Sequence, residues 1–411
     1  METKRIVVVG AGPAGMMAAI RAGELKQDVT LIEKNSLPGR KLLLSGKGRS
    51  NITNACTLEL FLKRFSKNGQ FLRDAFKKFF NQDLINFFEK RGLQLKTERQ
   101  LRLFPVTDKS SSVLEVLRKE LAKNKVKLYF KTRVKDMVIR DAGIKGLLLA
   151  DGKFMPADKV ILATGGVSYS FTGSSGDGLE LAGKLGHQIV PMRPGLVPLE
   201  TRQRYPLEGL TLKNIRLNFS DGQRRITSEI GELLFTHCGI SGPLVLSLSG
   251  QIADWLQENK SVRVEIDLKP ALSVEQLDAR LLREFKSDAK KALKNILKNL
   301  MPKKLAEVFP GILKINPDKK ASQITRLERE SMVTLLKAWR LNIIRARPIE
   351  EAMVTRGGVS LKEINPRTME SRLIRGLYFC GEMIDVDADT GGFNLQAAFS
   401  TGYLAGESAS L

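Results

Sequence analysis

The stretch that decides the fold is Arg5-Ile-Val-Val-Val-Gly10-Ala-Gly12-Pro-Ala-Gly15, near the start of a chain of 411 residues. Its β-branched run predicts a buried strand, and its three glycines have the G-x-G-x-x-G spacing of a dinucleotide-binding turn. A small-residue helix at residues 16–26 and a strand at residues 29–32 complete a βαβ unit. Glu33 ends that strand 23 residues after the first glycine, where an acidic side chain binds a ribose. The stretch therefore predicts an α/β protein with a Rossmann-like domain.

Two later strands return toward the same dinucleotide. Residues 159–163 predict a buried strand ending in Thr164-Gly165-Gly166, and residues 377–380 predict another ending in Gly381-Glu382. An extended FAD molecule needs contacts spread over most of the chain, whereas a simple nicotinamide dehydrogenase does not need its C-terminal strand to return. The sequence has no second G-x-G-x-x-G, which would have indicated a separate nicotinamide domain. We therefore expect the dinucleotide to be FAD.

The middle of the chain has a different pattern. Short alternating segments at residues 211–219, 231–236 and 261–268 predict a small antiparallel barrel or sandwich. Residues 277–340 have a helical period. Earlier in the chain, eight of the 19 phenylalanines fall between residues 61 and 92 at helical spacing. We expect that stripe to pack against a neighbouring domain.

The charge of the chain is strongly positive. Lys+Arg number 67 against 44 Asp+Glu, a net charge of +23, and residues 277–347 carry 18 against 7, a net charge of +11. Such an excess implies self-repulsion unless a polyanion or an anionic surface lies nearby. Three separated cysteines and no His/Cys/carboxylate cluster with ligand spacing predict a reduced, cytoplasmic protein without a metal. No apolar run reaches the length of a bilayer span, so we expect a soluble protein without stable membrane association.

Five further motifs resemble those of a known family. Gly39-Arg-Lys-Leu-Leu-Leu-Ser-Gly-Lys-Gly-Arg-Ser-Asn-Ile-Thr-Asn54 is similar to the G-R-K-x-x-x-S-G-G-G-R-C-N-x-T-N segment of the YhiN/BaiN-like (aminoacetone oxidase-like) FAD-dependent flavoproteins. The other four are Phe235-Thr-His-Cys-Gly-Ile-Ser-Gly-Pro243, Glu351-Ala-Met-Val-Thr-Arg-Gly-Gly-Val359, Thr368-Met-Glu-Ser371, and Gly381-Glu-Met-Ile-Asp385 with Gly391-Gly-Phe-Asn-Leu-Gln396. Because these motifs are long and occur in order, the chain is identified as a member of that family.

The resemblance implies a glutathione-reductase-like FAD domain at residues 1–191 and 348–411. A β-barrel insert is implied at residues 192–270 and 341–347, with a basic helical domain nested at residues 271–340. FAD is the implied cofactor, and NAD(P)H is the expected transient electron donor. The predicted cofactor-binding set joins the glycine turn and strand ends to the family motifs: Gly10, Gly12, Pro13, Ala14, Gly15, Glu33, Lys34, Arg40, Lys41, Ser45, Gly46, Asn51, Thr53, Val134, Thr164, Gly165, Gly166, Gly381, Glu382, Asp385, Gly392, Phe393, Asn394 and Leu395. The resemblance places Gly381, Glu382, Asp385 and residues 393–395 at the ribityl chain and isoalloxazine.

Two positions depart from the family pattern, because Lys47 replaces a glycine and Ser50 stands where the pattern has cysteine. If that cysteine is an acid in the family, a serine hydroxyl is a poor substitute for it. The catalytic candidates are His237, in a Thr-His-Cys-Gly turn, with Tyr169 and Arg356 as residues that face the flavin. A structural turn is the alternative for His237, and His187 is expected to be a helix cap that the helix dipole stabilises.

Four functions are compatible with these features. The resemblance and the charge favour an FAD-dependent enzyme that reduces a uridine of ribosomal RNA to dihydrouridine, with the basic helical domain contacting the RNA. The second hypothesis is a small-molecule oxidoreductase that acts on an unsaturated steroid ketone or an aminoacetone-like amine. A small neutral substrate does not explain the charge, however. A flavin-bearing RNA or ribosome-assembly factor without turnover is the third, and a basic enzyme at a membrane surface is the fourth.

Overall fold

The structure is a computed structural model that describes residues 3–258 and 261–411. It divides into two compact units: unit 1 is the chain up to Gly195 together with Ile349–Leu411, and unit 2 is Leu196–Pro348. In chain order the strands are β1 (Arg5–Val9), β2 (Asp28–Ile32), β3 (Thr53–Asn54), β4 (Leu95–Glu98), β5 (Arg102–Pro105), β6 (Lys127–Tyr129), β7 (Val134–Arg140), β8 (Gly143–Leu149), β9 (Phe154–Pro156), β10 (Lys159–Leu162), β11 (Ile189–Gly195), β12 (Leu199–Thr201), β13 (Thr211–Ser220), β14 (Arg225–Thr227), β15 (Gly231–Thr236), β16 (Gly239–Ser241), β17 (Val262–Asp267), β18 (Trp339–Ala346), β19 (Val354–Val359) and β20 (Leu377–Phe379). The α-helices are α1 (Pro13–Glu24), α2 (Arg40–Leu44), α3 (Leu58–Leu62), α4 (Arg73–Lys78), α5 (Asn81–Glu89), α6 (Ser110–Lys123), α7 (Asp177–Lys184), α8 (Pro243–Gln257), α9 (Val274–Ser287), α10 (Leu293–Leu297), α11 (Lys303–Ile312), α12 (Arg326–Lys337) and α13 (Phe393–Ser410).

A parallel sheet in the order β20-β10-β1-β2-β6 organises unit 1. Val9 pairs with Ile32 on one side and with Leu162 on the other, so these strands end level with one another. The β1 side chains alternate between the two faces and are buried on both, which is typical of a parallel sheet covered by helices. The predicted Rossmann-like α/β class is confirmed. The helix after β1 begins at Pro13 and not at residue 16, because proline fits the first helical position.

Helices α1 and α13 pack unusually close together in unit 1. A Cβ atom on Gly402 would lie 2.2 Å from the Ala14 carbonyl oxygen, and one on Gly406 would lie 2.3 Å from the Ala18 carbonyl oxygen. Any larger residue at these two positions would push the helices apart. The close approach brings the C-terminal helix beside the glycine turn.

The phenylalanine stripe packs inside unit 1, which corrects the expectation that it meets a neighbouring domain. The Phe61 ring lies 5.2 Å from Phe76 and 4.7 Å from Phe393, and Phe79 stacks on Tyr403 at 4.5 Å between centroids. The stripe therefore covers α13, which the sequence places more than 300 residues later. Its helical spacing indicates a buried face but not which element covers that face.

Unit 2 is built on an antiparallel sheet in the order β14-β13-β15-β16-β12-β18-β17. An additional pairing of β13 with β17 closes six of these strands into a barrel and leaves β14 as an added edge. This confirms the predicted inserted barrel. Helices α9 to α12 lie between β17 and β18 in the chain and share one hydrophobic core with the barrel. The residue limits of the three domains, and a helical domain that is separate from the barrel, stay predictions.

Candidate functional site

The glycine turn lies between β1 and α1, and its three glycines have different surroundings. A Cβ on Gly10 would lie 2.5 Å from the Ala163 carbonyl oxygen, and one on Gly15 would lie 1.9 Å from the Gly10 carbonyl oxygen. The fold itself therefore requires glycine at both positions. A Cβ on Gly12 would meet no atom within 4 Å. Gly12 leaves open space at the N-terminus of α1, where a helix has unpaired N–H groups and a partial positive charge.

Glu33 is held above this turn at the end of β2. One carboxylate oxygen accepts the Ala11 N–H at 2.9 Å, and the other accepts the backbone and side-chain N–H groups of Asn35 at 2.9 and 2.7 Å. A carboxylate accepts about four hydrogen bonds, so these three leave one free position. The carboxylate is thus fixed in place and can still accept a hydroxyl of a ribose.

The segment from Gly39 to Asn54 makes an unusual turn after α2. Gly46 and Lys47 both adopt left-handed backbone angles, and Ser50 does so as well. Lys47, at the position of the family glycine, is exposed, while Ser50 is fully buried with its hydroxyl 3.2 Å from that of Ser45. Arg49 holds the turn by ion pairs with Glu98 and Asp108. The fold therefore accommodates both departures, although a left-handed non-glycine residue such as Lys47 costs about 1 kcal/mol.

Two buried polar atoms follow this turn without a partner. The Asn51 Oδ1 atom and the Thr53 hydroxyl are buried and have no hydrogen bond within the described residues. A buried polar atom without a partner is costly, so it usually marks a place for a ligand or an ordered water. Both residues belong to the predicted cofactor-binding set.

Four residues from distant parts of unit 1 form one polar network. Lys41 Nζ donates to Glu382 Oε2 at 2.6 Å and to the Ser168 hydroxyl at 2.7 Å. Glu382 Oε1 accepts the Ser168 hydroxyl at 3.0 Å and the Thr355 backbone N–H at 2.7 Å. The family motifs predict Lys41 and Glu382 at the cofactor, whereas Ser168 and Thr355 were not predicted. Both lie beside glycine motifs, Thr164-Gly-Gly and Arg356-Gly-Gly, and only the tertiary fold reveals that they meet.

Several residues of the predicted cofactor-binding set near the strand ends already contact other protein groups. Lys34 binds Ser175 and pairs with Asp177 at 3.2 Å, and Arg40 donates to Asn35 Oδ1 at 3.0 Å. Val134 is buried in β7. The Thr164 hydroxyl contacts the Met383 sulfur at 3.2 Å, and Gly165 has a left-handed backbone. A Cβ on Gly166 would lie 2.3 Å from the Thr355 hydroxyl, so glycine there keeps the network in place.

The side chains of Phe393, Asn394 and Asp385, which are predicted cofactor residues near the C-terminus, contact other protein groups. The Phe393 ring is buried against Phe61, and the Asn394 amide is bonded to the backbone of Ala388 at 2.9 and 2.8 Å. The Asp385 carboxylate accepts the Asn68 amide at 3.1 Å, whereas Leu395 is half-buried. A Cβ on Gly392 would lie 2.4 Å from the Thr53 carbonyl carbon, so the start of α13 adjoins the unpartnered Thr53 hydroxyl. A ligand there would meet the N–H groups of α13.

The three catalytic candidates fall in different units. Tyr169 and Arg356 lie in unit 1, each next to a member of the Ser168–Thr355 contact, in which the Ser168 N–H donates to the Thr355 hydroxyl at 3.0 Å. Burial raises the pKa of the Tyr169 phenol, so it stays protonated at neutral pH. Arg356 Nε lies 3.9 Å from the Asp387 carboxylate. His237 is exposed in the turn between β15 and β16 of unit 2.

His187 is a buried neutral cap, which corrects the expectation that the helix dipole stabilises its charge. Its two ring nitrogens lie 3.2 Å from the Ala182 carbonyl oxygen and 2.8 Å from the Ser371 hydroxyl. Burial lowers the pKa of the imidazole despite the hydrogen bond to Ala182. The folded protein therefore binds this proton less readily than the unfolded chain.

A pH dependence of stability follows from this shift. Because the pKa of His187 is lowered on folding, its contribution is complete above the unfolded pKa of about 6.5 and is lost as the pH falls below it. We expect the free energy of unfolding to drop by at most about 1.4 kcal/mol per pH unit from this group. Urea denaturation at a series of pH values measures the drop. The variant His187→Gln should lose the part of the pH dependence that comes from this imidazole. If the free energy of unfolding of the variant falls with pH as steeply as that of the wild type, His187 is not its source.

The residues of unit 1 fit FAD, the cofactor that the family implies. The open space at Gly12 suits a pyrophosphate, the free acceptor position of Glu33 suits a ribose hydroxyl, and the unpartnered atoms of Asn51 and Thr53 need a polar ligand. Within residues 3–258 and 261–411, no group of three or more His, Cys, Asp or Glu side chains could hold a metal ion. In the same part of the chain, no helix is both long and apolar enough to cross a membrane.

Comparison with curated proteins finds relatives along the whole chain. The chain is 33% identical over 409 residues to a 3-dehydro-bile acid delta(4,6)-reductase of Clostridium scindens, covering 98% of each protein. It is 32% identical over 406 residues to a ribosomal RNA dihydrouridine synthase of Haemophilus influenzae, covering 97% of this chain and 96% of the relative. The protein of the same name in Escherichia coli is 32% identical over 411 residues, with 98% and 97% covered.

Solved structures agree on the fold. A 3-ketosteroid delta1-dehydrogenase of Sterolibacterium denitrificans aligns over 100% of both chains with a TM-score of 0.54 and 14% identity. A quinol-fumarate reductase aligns over 100% of this chain and 71% of its own with a TM-score of 0.53 and 17% identity. At these identities the likeness concerns the fold alone.

The fold, the glycine turn and these relatives define a flavin-dependent oxidoreductase. Residues 4–408 match the family described as HI0933-like protein Rossmann domain, and the chain belongs to this family. The membership inferred from the motifs is confirmed.

Proposed function

We propose that the protein is an FAD-dependent reductase that converts a uridine of ribosomal RNA to dihydrouridine. The observation that carries the proposal is a set of free cations in unit 2. Lys286, Lys290, Lys303 and Lys314 are exposed, and none of them has an ion pair with an acid in the described part of the chain. Free surface cations release counterions when they bind phosphates, which is the main source of affinity for RNA. Two relatives that align along the whole chain carry the name of such an enzyme.

The chemistry of the proposed site is the reduction of a double bond conjugated to a carbonyl. When bound, FAD supplies the hydride for such a bond, and NAD(P)H is the proposed source of the electron pair. In uridine the hydride adds to C6 and a proton adds to C5, so the C5–C6 double bond becomes single. The target base must leave its stack to reach the site. In unit 1, the Tyr169 phenol, which is protonated at neutral pH, is the proposed proton donor, and Arg356 is the proposed contact of the target base. His237, which is exposed on unit 2, is proposed separately to contact the RNA.

The chain's own residues have proposed roles around the cofactor. The glycine turn binds the pyrophosphate with the N–H groups of α1, and Glu33 accepts a ribose hydroxyl. Asn51 and Thr53 bind the flavin with the two polar atoms that have no protein partner. Glu382, fixed by Lys41 and Ser168, binds the ribityl chain.

A steroid-like substrate uses the same chemistry, so similarity alone does not separate the two functions. The identities to the bile acid reductase and to the dihydrouridine synthases are 33% and 32%. The net charge of +23 supports the RNA as substrate, because a small substrate needs only one or two cations. A ribosomal RNA substrate also implies work in the cytoplasm.

Deleting the gene is expected to remove one dihydrouridine from ribosomal RNA, as measured by nucleoside mass spectrometry. Restoring the wild-type gene should restore it, and restoring a variant that cannot bind FAD should not. Restoration by that variant would favour a role in ribosome assembly without turnover. An unchanged nucleoside profile after deletion would contradict the proposal and favour a small-molecule substrate.

A further inference from the structure

A short turn in unit 1 presents an aromatic ring to solvent. Phe171 is 62% exposed, although most of the phenylalanines are buried. Hydrogen bonds close the turn: the N–H and the hydroxyl of Thr172 both donate to the Tyr169 carbonyl at 2.8 Å, and the Gly173 N–H donates to the Ser170 carbonyl at 2.9 Å. Tyr169 adopts a left-handed backbone with φ of 49° to begin this turn. The fold therefore accepts local strain and still leaves the Phe171 ring uncovered.

This turn is seated against the end of β2. The Asn35 amide donates to the Thr172 carbonyl at 3.2 Å and to the Glu33 carboxylate at 2.7 Å. A Cβ on Gly173 would lie 2.3 Å from the Asn35 amide nitrogen, so the approach leaves no room for a side chain. One amide thus joins the residue after Phe171 to the carboxylate proposed to bind the adenosine ribose.

The surroundings of this strand end are apolar and cationic. Leu37, two residues after Asn35, is 59% exposed. Arg40 donates to the Asn35 side chain at 3.0 Å, and Lys34 pairs with Asp177 at 3.2 Å. An exposed apolar surface close to a fixed ribose acceptor suits the base of the same nucleotide, because the base and the hydroxyls are carried by one ribose ring.

We infer that the Phe171 ring covers the adenine of FAD. The inference rests on the proposal that FAD binds with its adenosine ribose at Glu33. A purine presents a flat π-face, and an aromatic side chain that stacks on it removes apolar surface of both rings from water. Phe171 lies in the stretch Tyr-Ser-Phe-Thr between two glycine clusters, and this stretch is outside the family motifs.

The matched variants are Phe171→Ala and Phe154→Ala. Phe154 lies in β9 and is 53% exposed, so its truncation removes a similar exposed ring from another part of unit 1. We expect Phe171→Ala to release FAD from the holoenzyme on dilution with a dissociation constant raised about tenfold to a hundredfold, the usual loss for one stacked base. Phe154→Ala should leave the constant unchanged. The rise of flavin fluorescence as FAD leaves the protein measures both.

Two further measurements separate adenine stacking from loss of the fold. Phe171→Trp should retain FAD as the wild type does, because indole provides a larger face for the same base. FMN has no adenine, so any affinity of the protein for FMN should be the same in the wild type and in Phe171→Ala.

The outcomes of these measurements distinguish the inference about Phe171 from the proposal that FAD binds at Glu33. If the wild type retains FAD and Phe171→Ala retains it equally well, Phe171 does not cover the adenine. If Phe171→Ala keeps FAD but loses affinity for RNA, the ring stacks on a base of the substrate, which also overturns the inference. A wild type purified without FAD would instead contradict the proposed FAD site.

Discussion

Replacing Gly12 with aspartate is expected to give a folded protein that no longer retains FAD. The Gly12 backbone has φ of −79° and ψ of −179°, which any residue adopts, and its Cβ would meet no protein atom within 4 Å. Aspartate is also a favoured N-cap, and its charge suits the N-terminus of α1. The same carboxylate would occupy the space and repel the charge of a pyrophosphate. We expect FAD affinity to fall at least about a hundredfold, or roughly 2.7 kcal/mol.

Two other glycines serve as controls for this variant. Gly15→Ala should fail to fold, because its Cβ would lie 1.9 Å from the Gly10 carbonyl oxygen. Gly311→Ala in α11 should fold and keep FAD, since nothing lies within 4 Å of its Cβ. Flavin absorbance at equal protein concentration and far-ultraviolet circular dichroism measure cofactor and fold separately. A yellow Gly12→Asp protein would exclude the glycine turn as the phosphate site.

Removing three free cations from unit 2 is expected to weaken RNA binding and flatten its salt dependence. The variant is K286Q/K290Q/K303Q, whose lysines are exposed and have no ion pair in the part of the chain that the structure describes. Each lost phosphate contact should reduce the slope of log affinity against log salt by about 0.7 to 1, so the total change is about 2 to 3. Titration of ribosomal RNA fragments at several salt concentrations measures the slope.

The matched control removes the same amount of charge from ion-paired residues. Lys291 pairs with Asp288 at 2.9 Å, Lys294 with Asp318 at 2.6 Å and Arg326 with Glu330 at 2.7 Å. The variant K291Q/K294Q/R326Q changes the net charge equally, so any long-range effect is the same in both triples. Beyond a Debye length of about 8 Å that effect is screened at physiological salt. Equal losses in the two variants would show that net charge, and not direct contact by the free lysines, binds the RNA.

Much of unit 1 could be predicted because its signals are local in sequence. The spacing of Gly10, Gly12 and Gly15 predicted the turn. The position of Glu33, 23 residues after Gly10, predicted an acidic side chain at the end of the second strand. The G-x-G-x-x-G spacing did not show that Gly10 and Gly15 are required by packing whereas Gly12 leaves space for a ligand. At Gly10 the packing partner is the distant Ala163, whereas at Gly15 it is the carbonyl oxygen of Gly10 itself.

The contacts of the candidate site residues with other protein groups could not be predicted from the sequence. Phe393 and Asn394 matched the family motif, but the ring is buried on Phe61 and the amide is bonded to Ala388. Ser168 and Thr355 were missed, because small polar residues near glycines have no periodic pattern. The charge count also included Lys291 and Lys294, whose acidic partners were visible only in the fold.

The fold class, the glycine turn and the family follow from the sequence alone, because each depends on residue types at fixed short spacings. Which of the predicted residues keep polar atoms free for a ligand depends instead on the tertiary fold. Hydrogen bonds and ion pairs join residues such as Lys41 and Glu382, which are 341 positions apart, and no local pattern encodes such a pairing.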